Sequence, residues 1–224
     1  MPNKKVIHIY NIIPIIFVVL WSSAFITSKI IVDNAPPFLS LSIRFGIVAF
    51  LFFLFFIFFS KDKYISFKAF KDASISGLLF HGLYLGGVFF ALSKGISATL
   101  IALIVSLQPI LTSFLAKIYL SETLTRYQWL GILLGFSGVI IIIISDLIDG
   151  LTLLAFFSGI VGLVSSSVGI IWQKKIACDL SLSGNNFLQA LSASIFHLLL
   201  ALYFEEFIIN FSNDFILAMS WQIF

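Results

Sequence analysis

Long uninterrupted apolar stretches, separated by short clusters of charge, proline and small polar residues, dominate this chain, and no segment alternates with the period of a half-buried strand. A helix needs roughly 17 to 25 apolar residues to cross about 30 Å of hydrocarbon. Seven stretches meet that length: Ile12 to Val32, Leu39 to Phe59, Ala73 to Ser93, Ala98 to Leu120, Tyr127 to Ser145, Leu151 to Ile171 and Phe187 to Tyr203. Each is expected to be an α-helix, because a lipid-exposed backbone has to satisfy its own hydrogen bonds. The first stretch is longer than the apolar core of a signal peptide and lacks a small-x-small cleavage site before Pro36-Pro37, so it reads as a retained helix.

Composition fixes the class. Of 224 residues, 60% are hydrophobic and only 10% are charged, and the mean hydropathy is +1.13. A soluble domain carries about 25% charged residues, so a soluble globular protein and a disordered chain are both excluded. The single cysteine, Cys178, rules out an internal disulfide and a cysteine-based metal cage. The formal charge of +3 is no signal of nucleic-acid binding here, because in a membrane protein the placement of Lys and Arg matters more than their sum.

That placement sets an orientation. With the N-terminus in the cytoplasm, Lys4, Lys5, Lys61, Lys63, Lys68, Lys71, Lys117, Arg126, Lys174 and Lys175 fall on the cytoplasmic side, and Lys94 alone lies in an outer loop. Asp33, Asp146, Asp149, Glu205, Glu206 and Asp214 all fall outside, and no acid is expected within a span. The localisation this implies is a multi-pass protein of the bacterial inner membrane.

A weak internal repeat accompanies this topology. Phe38-Leu39-Ser40 at the start of the second span resembles Phe187-Leu188-Gln189 at the start of the seventh, an offset of 149 residues, and Ser22-Ser23 has a counterpart in Ser165-Ser166-Ser167. Five helices separate each pair, so the halves are inverted. The domains read as a first five-helix repeat over residues 1–146 and an incomplete second repeat over 147–224. At the same offset Trp221 to Phe224 would open an eighth span. A complete chain would then run about 70 residues, or three helices, further.

From Gly95 through Ser145 the residues closely resemble the EamA-type drug/metabolite transporters. The resemblance rests on Ala98-Thr99-Leu100, Ser106-Leu107-Gln108-Pro109-Ile110, Tyr119-Leu120-Ser121-Glu122-Thr123-Leu124, Trp129-Leu130-Gly131 and Gly135-Phe136-Ser137-Gly138-Val139, with Trp21-Ser22 and Arg44-Phe45 as further matches. It implies a ten-helix inverted-repeat fold with both termini cytoplasmic, which moves small metabolites, mostly outward, through a central cavity. The expected fold class is thus an all-α integral membrane protein with about seven transmembrane helices of that ten-helix transporter fold.

At about 1.5 Å of rise per residue, the rare polar residues inside the spans fall near mid-membrane, where an alternating-access carrier places its substrate site. The candidate substrate-binding residues are Trp21, Ser22, Lys29, Arg44, His81, Tyr84, Gln108, Ser166 and His197. Polar groups are costly in lipid and belong inside the bundle. Arg44 and Lys29 suit an anionic or zwitterionic substrate, although both are near enough to their span's outer end to reach the headgroups. Pro109 removes a backbone donor and frees a carbonyl around Val105, which predicts a kink and a candidate hinge. Gly82 and Gly86, then Gly131, Gly135 and Gly138, then Gly159, Gly162, Ser166 and Gly169 read as seams of close helix contact.

There is no Gly-x-x-x-x-Gly-Lys loop and no His-Glu-x-x-His or nucleophile constellation, so no catalytic residue, metal ligand or cofactor is expected. The reading is a secondary transporter exporting a small metabolite such as an amino acid, embedded in the lipid bilayer and not bound to nucleic acid. The alternative is a truncated, non-transporting fragment, or a subunit that needs a complementary partner. A homo-oligomer is compatible with either.

Overall fold

The computed structural model describes residues 4–60, 64–120, 125–148, 152–175 and 180–224. Lys61, Lys63, Asp149, Leu151, Cys178 and the run Ser121-Glu122-Thr123-Leu124 lie outside the described residues. Those described form helices α1 (Lys4–Asn34), α2 (Pro37–Phe59), α3 (Phe67–Gly77), a π-helical stretch (Leu78–Tyr84), α4 (Leu85–Ser93), α5 (Ala98–Ser106), α6 (Gln108–Leu120), α7 (Arg126–Ile148), α8 (Leu153–Lys175), α9 (Leu182–Phe204) and α10 (Asn213–Ile223). Among the described residues, six helical segments are long and apolar enough to cross a membrane: Ile15–Asn34, Pro37–Phe59, Phe67–Ser93, Ala98–Tyr119, Leu153–Lys174 and Leu182–Phe204. The stretch Tyr127 to Ser145 lies within the 23-residue helix α7. The protein is an all-α, multi-pass integral membrane protein.

Several helices outrun the apolar stretches that announce them, because their capping serines lie beyond the apolar edge. Ser66 Oγ accepts from the Ala69 N–H at 3.1 Å and Ser181 Oγ from the Gly184 N–H at 3.3 Å, so α3 and α9 start six and five residues ahead of Ala73 and Phe187. One consequence corrects the sequence reading. Asp72, expected just outside the third span, is a buried residue inside α3, and its backbone carbonyl lies 3.4 Å from Trp172 Nε1. Likewise α10 begins at Asn213, not near Trp221, because Ser212 Oγ caps the Phe215 N–H at 3.2 Å.

Helices α2 and α9 run antiparallel in close contact. Ser60 and Ser181 hydroxyls meet at 2.9 Å at one end, and Phe53 and Phe187 rings lie 5.1 Å apart further along. At the other end the Glu205 carboxylate accepts from the Phe38 and Leu39 N–H groups, both at 2.8 Å. Pro36 and Pro37 give α2 no side-chain cap of its own, so a residue just past the end of α9 satisfies the orphan donors. Burial pushes the Glu205 carboxyl above its ordinary value, and the two N–H groups oppose that rise. On the same side Asn34 joins α1 to the loop before α10. Its carbonyl accepts from the Asn210 N–H at 2.8 Å, and its Oδ1 accepts from Asn210 Nδ2 at 3.1 Å and Ser212 Oγ at 3.0 Å.

The third span departs from a simple helix. Its middle, Leu78–Tyr84, is π-helical and lies between two points of near-backbone contact. A Cβ added at Gly77 would lie 2.4 Å from the Gln189 carbonyl oxygen on α9, and one at Gly87 would lie 2.4 Å from the Ser158 carbonyl oxygen on α8. Only glycine admits such approach. The seam expected at Gly82 and Gly86 is present, against Phe196 and His197 respectively, as is that at Gly159, Gly162 and Gly169. Gly131 and Gly138 on α7 meet no described atom within 4 Å, so the seam expected there is made only at Gly135, against Ile110.

The fourth span is interrupted where the proline predicts. Helix α5 ends at Ser106, Leu107 forms a turn, and α6 starts at Gln108-Pro109, with the Leu111 N–H bonded to the Leu107 carbonyl at 3.0 Å. Proline fits the first turn of a helix because the donor it lacks is unpaired there in any case. The core uniting these spans includes the fully buried Ile31, Leu41, Phe89, Ile101 and Ile104.

Candidate functional site

The break at Leu107 shapes a cavity. A space of about 590 Å³ lies between α1 and the α5–α6 junction, with apolar walls from Phe17, Val18, Phe25, Ile26 and Val105 and polar groups from Ser22, Thr99, Ser106 and Gln108. Trp21, Ser22, Gln108 and Pro109, distant in sequence, all line it. Gln108 is buried, and its Nε2 has no hydrogen-bond partner among the described residues. A buried unpaired donor costs about 1–3 kcal/mol unless something accepts from it. No charged side chain among the described residues lines this cavity.

A second cavity of about 360 Å³ lies on the neighbouring face of α1 and shares Phe17, Trp21 and Phe25 with the first. Tyr84, Ala24, Ser28 and Val88 complete much of its wall. Trp21 and Ser22 on α1, Tyr84 at the end of the π stretch, and Gln108 and Pro109 on α6 are thus the expected residues that the fold brings together around α1. Lys29 is not among them. It pairs with Asp33 one turn on, in an ion pair exposed near the end of α1.

Arg44 sits in a separate polar cluster. Its Nη1 donates to Gln222 Oε1 at 2.8 Å and its Nε to the Gln222 carbonyl at 3.2 Å, while the guanidinium carbon lies 5.3 Å from the centre of the Phe45 ring. Gln222 Nε2 in turn lies within donating distance of Thr27 Oγ1 at 2.8 Å, Ser28 Oγ at 2.9 Å and the Ala24 carbonyl at 3.1 Å. Next to it Trp221 Nε1 donates to Ser23 Oγ at 2.9 Å. The last turn of α10 is thus tied to both α1 and α2.

The two histidines meet, but through one backbone. His197 is fully buried on α9, and its Nε2 lies 3.1 Å from the His81 carbonyl in the π stretch, which fixes the proton on Nε2. Its Nδ1 has no partner among the described residues. The ring is near-parallel to Phe38 and Phe45, each 6.1 Å away, and the half-buried His81 ring lies 5.0 Å from Phe45. Ser166 is buried away from both cavities, its hydroxyl donating to the Leu163 carbonyl at 2.9 Å.

The sequence reading missed three residues of these clusters. Gln222 and Trp221 stood at the assumed start of a helix, whereas they are in its last turn. Glu205 read only as an outer-loop charge. A Pro-Pro pair opening α2 with no capping side chain was the available signal that a distant acceptor is needed.

Comparison with known proteins agrees with this architecture. The EamA-like transporter family matches over residues 8–144. A protein of Escherichia coli named "Probable amino-acid metabolite efflux pump" is 28% identical over 173 residues, covering 74% of this chain and 54% of that protein. Its namesake in Salmonella typhimurium is 29% identical over 169 residues, covering 72% of this chain and 52% of that protein. The chain spans about half the length of these curated relatives.

Proposed function

Starting from a chain that belongs to the EamA-like transporter family, we propose that it exports a small amino-acid-like metabolite through the space beside α1. The observation that carries this reading is the 590 Å³ cavity at the α5–α6 break, where Trp21, Ser22 and the unpaired amide of Gln108 converge. Its volume suits a solute of that size. Trp21 and its aromatic neighbours receive the apolar part of the solute, and Gln108 Nε2 donates to a carbonyl or carboxylate oxygen. Pro109 at the break serves as the hinge about which α6 moves during alternating access. The two repeats, residues 1–146 and 147–224, supply the halves that rock against each other. The N-terminus lies in the cytoplasm of a bacterial cell and the protein sits in its inner membrane. The outward direction follows the printed name of the relatives.

The test is efflux of radiolabelled neutral L-amino acids from preloaded cells that express the whole protein. Gln108→Leu is expected to cut the rate roughly tenfold, as loss of one hydrogen bond of about 1.5 kcal/mol implies. An unchanged rate at equal membrane abundance would remove Gln108, and the cavity with it, from the substrate path.

A further inference from the structure

The guanidinium of Arg44 is held in an unusual way for a cation within an apolar span. Both of its bonded acceptors, Oε1 and the main-chain carbonyl, belong to the uncharged Gln222. Among the described residues no carboxylate lies within ion-pair distance of it. Charged groups in the membrane ordinarily pair with one another or serve a solute, and the arginine fork matches a carboxylate with two parallel hydrogen bonds.

We propose that Gln222 stands in for the carboxylate of the transported solute on Arg44, so that the substrate class is a carboxylate-bearing one and α10 is released from α2 when that carboxylate arrives. This rests on the reading of the protein as an exporter of small metabolites. The second cavity supplies the route. Ala24 and Ser28, two of the three acceptors within reach of Gln222 Nε2, also line that 360 Å³ space, together with Trp21 from the first cavity. A solute with its apolar part against Trp21 therefore lies beside the residues that hold Gln222. Charge-assisted hydrogen bonds are about twice as strong as neutral ones, so a carboxylate displaces both Gln222 oxygens, the side-chain Oε1 and the main-chain carbonyl, from Arg44. Gln222 keeps its donors on Thr27 and Ser28, and the last turn of α10 stays with α1 while losing α2. Binding at the site thereby changes which helix α10 is tied to.

The experiment compares the parent protein, Gln222→Glu and Gln222→Ala in proteoliposomes, with radiolabelled neutral L-amino acids as the probe and their amides as competitors. The Gln222→Glu change would place a permanent carboxylate on Arg44 at an effective concentration no free solute matches, and flux is expected to fall roughly tenfold or more. Gln222→Ala removes the side-chain competitor and leaves only the main-chain carbonyl, so it is expected to lower KM severalfold, with free acids competing and amides not. Flux of Gln222→Glu within about twofold of the parent, in protein that is monodisperse by size exclusion, overturns the inference. If Gln222→Glu does not fold, the alanine variant decides, and an unchanged KM overturns it. Amides that compete as well as acids overturn it too. A parent protein that moves no amino acid defeats the transport reading itself, an outcome distinct from parent flux that the variants leave untouched.

Discussion

Ser42 Oγ donates to the Ser194 carbonyl at 3.1 Å, and Ser194 Oγ donates to the Ser42 carbonyl at 2.9 Å. The exchange is reciprocal, as an axis relating α2 to α9 by a half-turn requires. Interhelical hydrogen bonds in membranes average about 0.6 kcal/mol. Ser42→Ala and Ser194→Ala should therefore each lower the thermal midpoint in detergent slightly. Because the two bonds share their residues, the double variant should show measurable coupling in a double-mutant cycle. Strict additivity would mean the two bonds act independently.

Glu205 offers a test with a pH axis. Removing both cap acceptors by Glu205→Ala should cost roughly 1–2 kcal/mol, read as thermal unfolding in detergent. Burial holds the folded carboxyl above its ordinary 4.5, so the folded protein retains a proton that the unfolded chain has given up. The contribution of this group to stability is complete below about 4.5 and declines as pH rises through the raised value. Glu205→Gln should flatten that decline, because its amide oxygen still accepts from α2 without a charge to desolvate. A parent and a glutamine variant with parallel pH profiles would contradict this.

The two near-contacts of the third span predict a sharp contrast among glycines. Gly77→Ala and Gly87→Ala force a methyl to within 2.4 Å of a neighbouring carbonyl oxygen and should destabilise by roughly 1–3 kcal/mol. Gly131→Ala meets no described atom within 4 Å. It should leave the midpoint unchanged or raise it by about the helix-propensity gain of 1 kcal/mol. Equal effects at all three sites would show that the seams do not bear on stability.

His197→Phe keeps the ring packing against Phe38 and Phe45 but removes the donor to the His81 carbonyl. Loss of one hydrogen bond to a buried carbonyl costs about 1 kcal/mol. His197→Gln, which can still donate, should recover part of that loss. Hydrogen exchange of the amides from Leu78 to Tyr84 is the discriminating readout, since protection there should fall in the phenylalanine variant and return in the glutamine one.

Helix content, approximate span positions and the helix break beside Pro109 were legible because they depend on local quantities: apolar run length, the need to satisfy backbone donors in lipid, and one missing N–H. The convergence of Trp21, Ser22 and Gln108 was legible from depth along each helix, since residues at one membrane level can meet. Depth carries no azimuth, and for that reason the burial of Ser166 against its own helix did not follow from it. Arg44 was correctly singled out as a polar residue within a span, but its partner was not, because Gln222 comes to it through a short helix whose start depends on the single hydroxyl of Ser212. Asp72 was misplaced for a similar reason, since Ser66 sets the start of α3 well ahead of the apolar edge.

The π-helical stretch also alters the phase of the third span. A helix of uniform pitch offers one stripe to its surroundings, drifting slowly along its length, whereas wide turns insert rotation between the segments before and after them. Here the segment before turns Gly77 toward α9 and the segment after turns Gly87 toward α8, so one rod serves two partners on different bearings. Relaxing Leu78–Tyr84 to ordinary helical turns with no residue removed would swing one glycine off its neighbour by roughly 100°. The wide turns are thus as necessary to the packing as the glycines on either side of them.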